Sequence, residues 1–245
     1  MFYSGLIQDI KGQTEKAFYD LSLVTKNINN LNTFGYKAER PMQFGEILTD
    51  QAPELSEKSQ KLLQPGKLSI TQNPKDISLE GQGFFALQDE NGDTVLSRNL
   101  TLSANKDGFL SSGKYLISPK IKVNSAFQGF FIELDGTIKG IDSDGLKTKL
   151  GSLRVVNYPA SDKLNFNGLV YSPKEEAGKA FPVCLGQDAQ TKVRQGTLES
   201  SNVDIPLEMY RFTDANKKIT TLARIVQLMT SSEREYIRSN TSAIG

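Results

Sequence analysis

Residues 21–37 read Leu21-Ser22-Leu23-Val24-Thr25-Lys26-Asn27-Ile28-Asn29-Asn30-Leu31-Asn32-Thr33-Phe34-Gly35-Tyr36-Lys37. The stretch continues an apolar stripe and then stops it. Upstream, Ile10, Thr14 and Ala17 lead into Leu21, Val24, Ile28 and Leu31 with steps alternating four and three, the seam spacing of a coiled coil. Lys11, Gln13, Lys16 and Asp20 fall off that seam. The spacing predicts a long amphipathic helix within residues 1–37. It should stop between Asn32 and Gly35, where Gly35 can take the left-handed conformation that ends helices. Phe2 and Tyr3, near the entry, are expected to pack against a neighbouring element.

The other end carries a matching stripe. Ile219, Leu222, Val226, Met229, Glu233 and Tyr236 step three-four-three-four-three, and Ile225 widens the apolar face. Glu233 interrupts the stripe, and Pro206 marks the entry into a helical region predicted over residues 196–238. Two such helices can pair with each other or turn faces to other subunits, and the stripes serve either arrangement.

Residues 38–195 are different. Asn91-Gly92, Asp107-Gly108, Asp135-Gly136 and Asp144-Gly145 favour tight hairpins. Between and after them lie strand-like runs: Gly83 to Leu87, Thr94 to Leu96, Phe109-Leu110, Tyr115 to Ile117, Phe130 to Leu134, Leu153 to Val156 and Phe181 to Leu185. The fold class is therefore α+β. Long N- and C-terminal helices are expected to pair as a coiled-coil-like helical domain (residues 1–50 and 196–245). A polar connector (51–66) leads to an inserted antiparallel all-β outer domain (67–195).

Composition narrows the function. Lys and Arg total 29 against 28 Asp and Glu, with no basic stripe, which argues against nucleic acid as a partner. The chain has no histidine, so the usual neutral-pH general base and the commonest metal ligand are both missing. The one cysteine, Cys184, lies in Phe181-Pro182-Val183-Cys184-Leu185 and is expected to be a buried strand residue. Asp142-Ser143-Asp144-Gly145 lacks the third carboxylate and the closing glutamate of a calcium loop. Gly81-Gln82-Gly83 leads into aromatics rather than a helix, and no serine sits in Gly-x-Ser-x-Gly. No catalytic residue, metal, cofactor or small-molecule substrate is expected. Asp9, Lys11, Glu15, Lys16 and Asp20 leave no room for a secretory apolar core, and no run approaches the length of a membrane span.

Val24 to Lys37, closing with Asn32-Thr33-Phe34-Gly35-Tyr36-Lys37, resembles the N-terminal signature of the bacterial flagellar rod and hook proteins. Gly81-Gln82-Gly83-Phe84-Phe85 is similar to that family's first β element. Arg98 with Asn105 to Leu110 and Gly113-Lys114-Tyr115, then Asp135-Gly136, then Gly151 to Pro159, are similar to the following ones in the same order. Gln195-Gly196-Thr197-Leu198-Glu199-Ser200-Ser201-Asn202-Val203, with Glu208-Met209, resembles its C-terminal entry motif. The ordered set covers most of the chain. Two departures stand out: Lys26 replaces a usual asparagine, and Lys217-Lys218-Ile219-Thr220 replaces an Arg-x-Tyr/Phe-Glu cluster.

The resemblance implies a non-enzymatic structural subunit of the flagellar basal-body rod. Such a chain forms a homopolymer, meets neighbouring rod and hook subunits, and passes torque from motor to hook. It also implies delivery to the periplasmic rod through the flagellar type III export apparatus, without a cleavable signal peptide. Residues Gly35 to Arg40 and Phe44 to Leu48 resemble the distal-rod type. Chain length and the altered last helix keep the proximal type open, and hook subunits usually carry further outer domains. The implied assembly interface takes Leu21, Val24, Asn27 and Ile28 from the first helix, then Asn30, Leu31, Asn32, Gly35 and Tyr36 after it. From the second helix it takes Leu222, Val226 and Met229. A competing reading from another class is a secreted β-rich module for cell-wall glycan with dimerising helices; the chain has no tryptophan to line its groove.

Overall fold

The computed structural model describes residues 4–42, 59–124 and 127–241. Phe2, Tyr3, Phe44 to Leu48 and residues 51–58 of the expected connector lie outside them. Contacts divide the chain into two units, a helical unit (4–29, 39–42, 59–60 and 204–241 among the described residues) and a β unit (30–38 and 61–203).

In the helical unit, α1 (Ser4–Asn29) packs against a C-terminal helix, α2 (Ile205–Thr241). Ile10, Ala17 and Val24 are buried at seven-residue intervals, with Thr14 and Leu21 half-buried between them. Glu208, Ala215 and Leu222 answer at the same interval on α2, followed by half-buried Met229. Asn27 near the end of α1 bonds Glu208 near the start of α2, so the helices run antiparallel. Two short strands, β1 (Glu39–Pro41) and β2 (Ser59–Lys61), pair beside them.

The helical reading needs one correction. Residues 196–204 are not helix: Gly196 takes a φ of +72°, and Thr197–Glu199 pairs instead as a strand. The start of α2 is fixed by Asp204, whose Oδ1 accepts from Leu207 N at 3.2 Å, with Pro206 in the first turn.

The β unit opens with β3 (Leu68–Ile70), β4 (Asp76–Glu80), β5 (Phe84–Gln88), β6 (Thr94–Ser97), β7 (Asn99–Ala104), β8 (Leu110–Ser112) and β9 (Tyr115–Ile117). It continues with β10 (Gly129–Ile132), β11 (Thr137–Ile141), β12 (Lys147–Ser152), β13 (Val155–Asn157), β14 (Asn165–Phe166), β15 (Tyr171–Ser172), β16 (Phe181–Pro182), β17 (Lys192–Gln195) and β18 (Thr197–Glu199). The main sheet runs β14-β15-β6-β5-β9-β8-β7-β4-β17, with β13 joining β5 to β16; β10-β11-β12 and β18-β3 form separate ladders. The pairs are antiparallel, as expected.

All four Gly dipeptides sit in hairpins, three of them through one repeated device. The flanking pairs Gln88↔Thr94, Ala104↔Leu110, Ile132↔Ile138 and Ile141↔Lys147 each enclose five residues. In three of these loops Asp89, Asn105 and Asp142 accept through Oδ1 from backbone N–H groups two and four residues on. The glycine three residues after each then takes positive φ. The same short side chain thus closes the turn and specifies the register.

β5 is apolar on both faces because both faces are covered. Phe85 and Leu87 enter one cluster with Ile77, Leu79, Leu100 and Leu110, while Phe84 and Ala86 enter a second with Leu96, Val156 and Tyr171. Cys184 corrects the sequence reading: it is exposed and lies just outside β16. Its neighbours Val183 and Leu185 turn inward to pack on the first cluster, so alternation sends Cys184 outward.

Candidate assembly site

The N- and C-terminal motifs meet in the β unit around one buried carboxylate. Glu199, at the end of β18, is fully buried and receives Arg98 Nε at 2.6 Å, Gly66 N at 3.0 Å and the Nζ of Lys37. Arg98 spends its other donors on backbone carbonyls, those of Leu79 at 3.1 Å, Gly81 at 2.7 Å and Gly83. Lys37 also donates to the Gln64 carbonyl at 3.0 Å. Two buried cations share one carboxylate, and carbonyl dipoles supply the balance. Burial holds the Lys37 ammonium down to about 8; Arg98 adds to the shift and Glu199 opposes it.

The backbone is stitched at the same place. The Glu199 peptide exchanges hydrogen bonds with the Asn99 side chain, at 2.6 and 3.0 Å, and its carbonyl accepts from Gly35 N at 2.7 Å. Asn202 accepts from Ala38 N at 2.7 Å and donates to the Leu62 and Gln64 carbonyls. Tyr171 donates its hydroxyl to the Gly35 carbonyl at 2.8 Å, and Tyr36 meets Phe166 edge-on at 5.5 Å. Burial and the nearby Glu199 charge raise the Tyr171 phenol. Gly35 is required twice over: its φ is +73°, and a Cβ there would stand 3.1 Å from Asn99 Nδ2 and 3.2 Å from Arg98 Cβ. Gly66 is required by approach alone, since a Cβ would fall 2.0 Å from the Ser200 carbonyl oxygen.

A second polar cluster lies in the helical unit. Asn27 accepts from Glu39 N at 2.8 Å and donates to Glu39 O at 2.9 Å, the two-bond geometry of a strand neighbour. It also donates to Glu208 Oε1 at 3.2 Å. Arg40 donates to the same oxygen, and Arg211 Nη1 faces Glu208 Oε2 at 3.5 Å. Burial, then the neighbouring Arg40 charge, lowers the Arg211 guanidinium from its usual value. Lys26, the departure from the family pattern, is accommodated by an ion pair with Glu39 at 2.8 Å.

Away from the helix seam, large apolar side chains remain exposed among charged ones. Leu6, Ile7 and Phe18 on α1 are exposed, as are Ile205, Leu207, Met209, Tyr210, Phe212 and Leu228 on α2. Ile7, Ile10, Phe18, Val226 and Met229 line a groove of about 610 Å³ between the two helices. Among the described residues no group of three His, Cys, Asp or Glu side chains could hold a metal ion, and no helix is long and apolar enough to cross a membrane.

Residues 78–140 match the family described as the flagellar hook protein FlgE/F/G D1 domain. Across nearly the whole chain, the sequence is 27% identical to the flagellar basal-body rod protein FlgG of Agrobacterium fabrum (235 residues; 83% of this chain, 89% of the relative). It is 25% identical to FlgG of Buchnera aphidicola subsp. Baizongia pistaciae (240 residues; 85% and 92%). It is also 26% identical to the rod protein FlgF of Mesorhizobium japonicum (234 residues; 89% and 90%). Over most of its length the chain is similar to flagellar basal-body rod proteins.

The rod-family signature residues divide between the two units. Val24 and Asn27 are buried in the helical unit, Leu21 is half-buried and Ile28 is 36% exposed. Asn27 rather than Ile28 is buried here, where it bonds the Glu39 backbone of β1. Asn30 and Leu31 are half-buried, Asn32 is exposed, and Gly35 and Tyr36 are buried in the β unit. On α2, Leu222 is buried, Met229 half-buried and Val226 47% exposed; Tyr236 has no described side chain. Lys37, Arg98, Glu199 and Glu208 were legible only as motif letters. Their pairing across more than a hundred residues has no local signal.

Proposed function

We propose that this rod-family chain polymerises through its helical unit, with α1 and α2 of many copies forming the inner wall of the rod and the β unit an outer layer. The observation that carries this reading is the row of large apolar side chains left in water along both helices. Burying one such side chain is worth about 1.5–3 kcal/mol, so burying several of them together favours association. The chain acts as a structural element, and torque passes through it by non-covalent contact with its own copies and with neighbouring axial subunits. The likeness of Gly35 to Arg40 and Phe44 to Leu48 to the distal-rod type supports a distal position, with the proximal position as the alternative. Export through the flagellar type III apparatus without a cleaved signal belongs to the same reading.

Immunogold labelling of basal bodies isolated from the native organism tests it. Label is expected along the rod, between motor and hook. Intact basal bodies with accessible rods and no label would sink the assignment.

A further inference from the structure

The apolar stripes of α1 and α2 repeat every seven residues and so leave open which turn of one helix faces which turn of the other. Ala17 and Val24 on α1, and Ala215 and Leu222 on α2, present similar surfaces after a slide of one heptad, about 10 Å along the axis. One level of the seam is not interchangeable. Glu208 lies one heptad before Ala215, is fully buried, and accepts from Asn27 on α1. Asn27 is in turn fixed to the Glu39 backbone by two bonds. Arg40 and Arg211 complete the surroundings of the carboxylate. A slide in either direction parts Glu208 from Asn27 and Arg40 and leaves it only Arg211 of its own helix; in one of the two directions Asn27 then faces Ala215. Either leaves a buried polar group without its partner.

We propose that Asn27 and Glu208 are positioning residues that set the register of the helix pair. Their role is to choose one alignment among several that the apolar seam tolerates equally, and so to decide which turns of the outward apolar faces stand side by side. The inference concerns the chain's own helices and holds whether or not the chain polymerises.

The test places spin labels at Gln13→Cys and Thr213→Cys, both exposed, in the full chain carrying Cys184→Ala. Pulsed electron–electron resonance should give one narrow distance. In Asn27→Leu/Glu208→Leu the distribution should split, with components displaced by about 5–10 Å, while far-UV circular dichroism keeps its helical amplitude. Moving the carboxylate one heptad, as Glu208→Leu/Ala215→Glu with Asn27 retained, should give a single distance displaced by a similar amount. Glu208→Gln keeps an oxygen for Asn27 and should keep the original distance. Should the double leucine variant fail to fold, the displaced-carboxylate variant decides. A helical variant of either kind with the original narrow peak would overturn the proposal, as would a broad distribution in the parent chain.

Discussion

The two units satisfy their side chains in opposite ways. In the β unit Phe84, Phe85, Leu87, Leu96, Leu100 and Leu110 are almost wholly out of water, and the charged clasp around Glu199 is sealed with them. In the helical unit only a thin seam is buried, Phe18 and Leu228 face water, and the arginines around Glu208 keep an edge at the surface. The β unit closes two apolar clusters within one copy, although Ile70, Leu146 and Leu169 stay exposed. The helical unit is saturated only on the side where its two helices meet.

The largest effect expected from this contrast concerns where the chain is cut. A fragment of residues 30–203 keeps Gly35, Tyr36, Lys37 and Asn202, so it should give a soluble monomer with a cooperative thermal transition. A fragment of residues 41–199 loses the partners of Glu199 and Tyr171 from the N-terminal side and should lose that transition. Equal melting of the two fragments would show that the clasp is dispensable to the β unit.

Next in size is removal of each buried carboxylate. Glu199→Ala strands Arg98 and Lys37, 3% and 1% exposed, and should cost about 3–5 kcal/mol in urea unfolding of the full chain. Glu208→Ala frees Arg40 and Arg211, which can turn to water, and should cost about 1–3 kcal/mol. The reverse order would break the distinction between a sealed and an open cluster.

Lys37 sharpens the same point through pH. Its folded value of about 8 lies below the ordinary 10.5, so below pH 8 both states hold the proton and the burial penalty is fully present. Between about pH 8 and 10.5 the unfolded chain binds the proton and the folded chain releases it, so stability rises with pH. Above pH 10 the raised Tyr171 phenol acts oppositely, because the unfolded chain ionises first. Unfolding free energy of the native chain relative to Lys37→Met should therefore climb by about 2 kcal/mol from pH 7.5 to 9.5. A flat difference would mean that Lys37 sits in a wetter place than its contacts indicate.

The smallest effect belongs to Cys184. It is exposed, so Cys184→Ala should change stability by less than about 0.5 kcal/mol, and a thiol reagent should label the native chain at once. Slow labelling that needs denaturant would put the residue back in the interior.

The sequence by itself determined both helices and the hairpins. Their signals are local: seven-residue recurrence of Ile10, Ala17 and Val24, and Asn-Gly or Asp-Gly dipeptides at the turns. It also held the family motifs in order. Strands β4, β7 and β17 were missed because they alternate with polar residues instead of forming apolar runs. The tertiary structure alone decided that residues 196–204 leave the helix for a ladder with β3, and that Cys184 faces water. It alone showed that Gly35, Tyr36 and Lys37 serve the β unit. Those outcomes depend on partners far away in the chain, Glu199 for Lys37 and Tyr171 for Gly35. A buried charge takes its meaning from the group it meets, and spacing along the chain carries no record of that meeting.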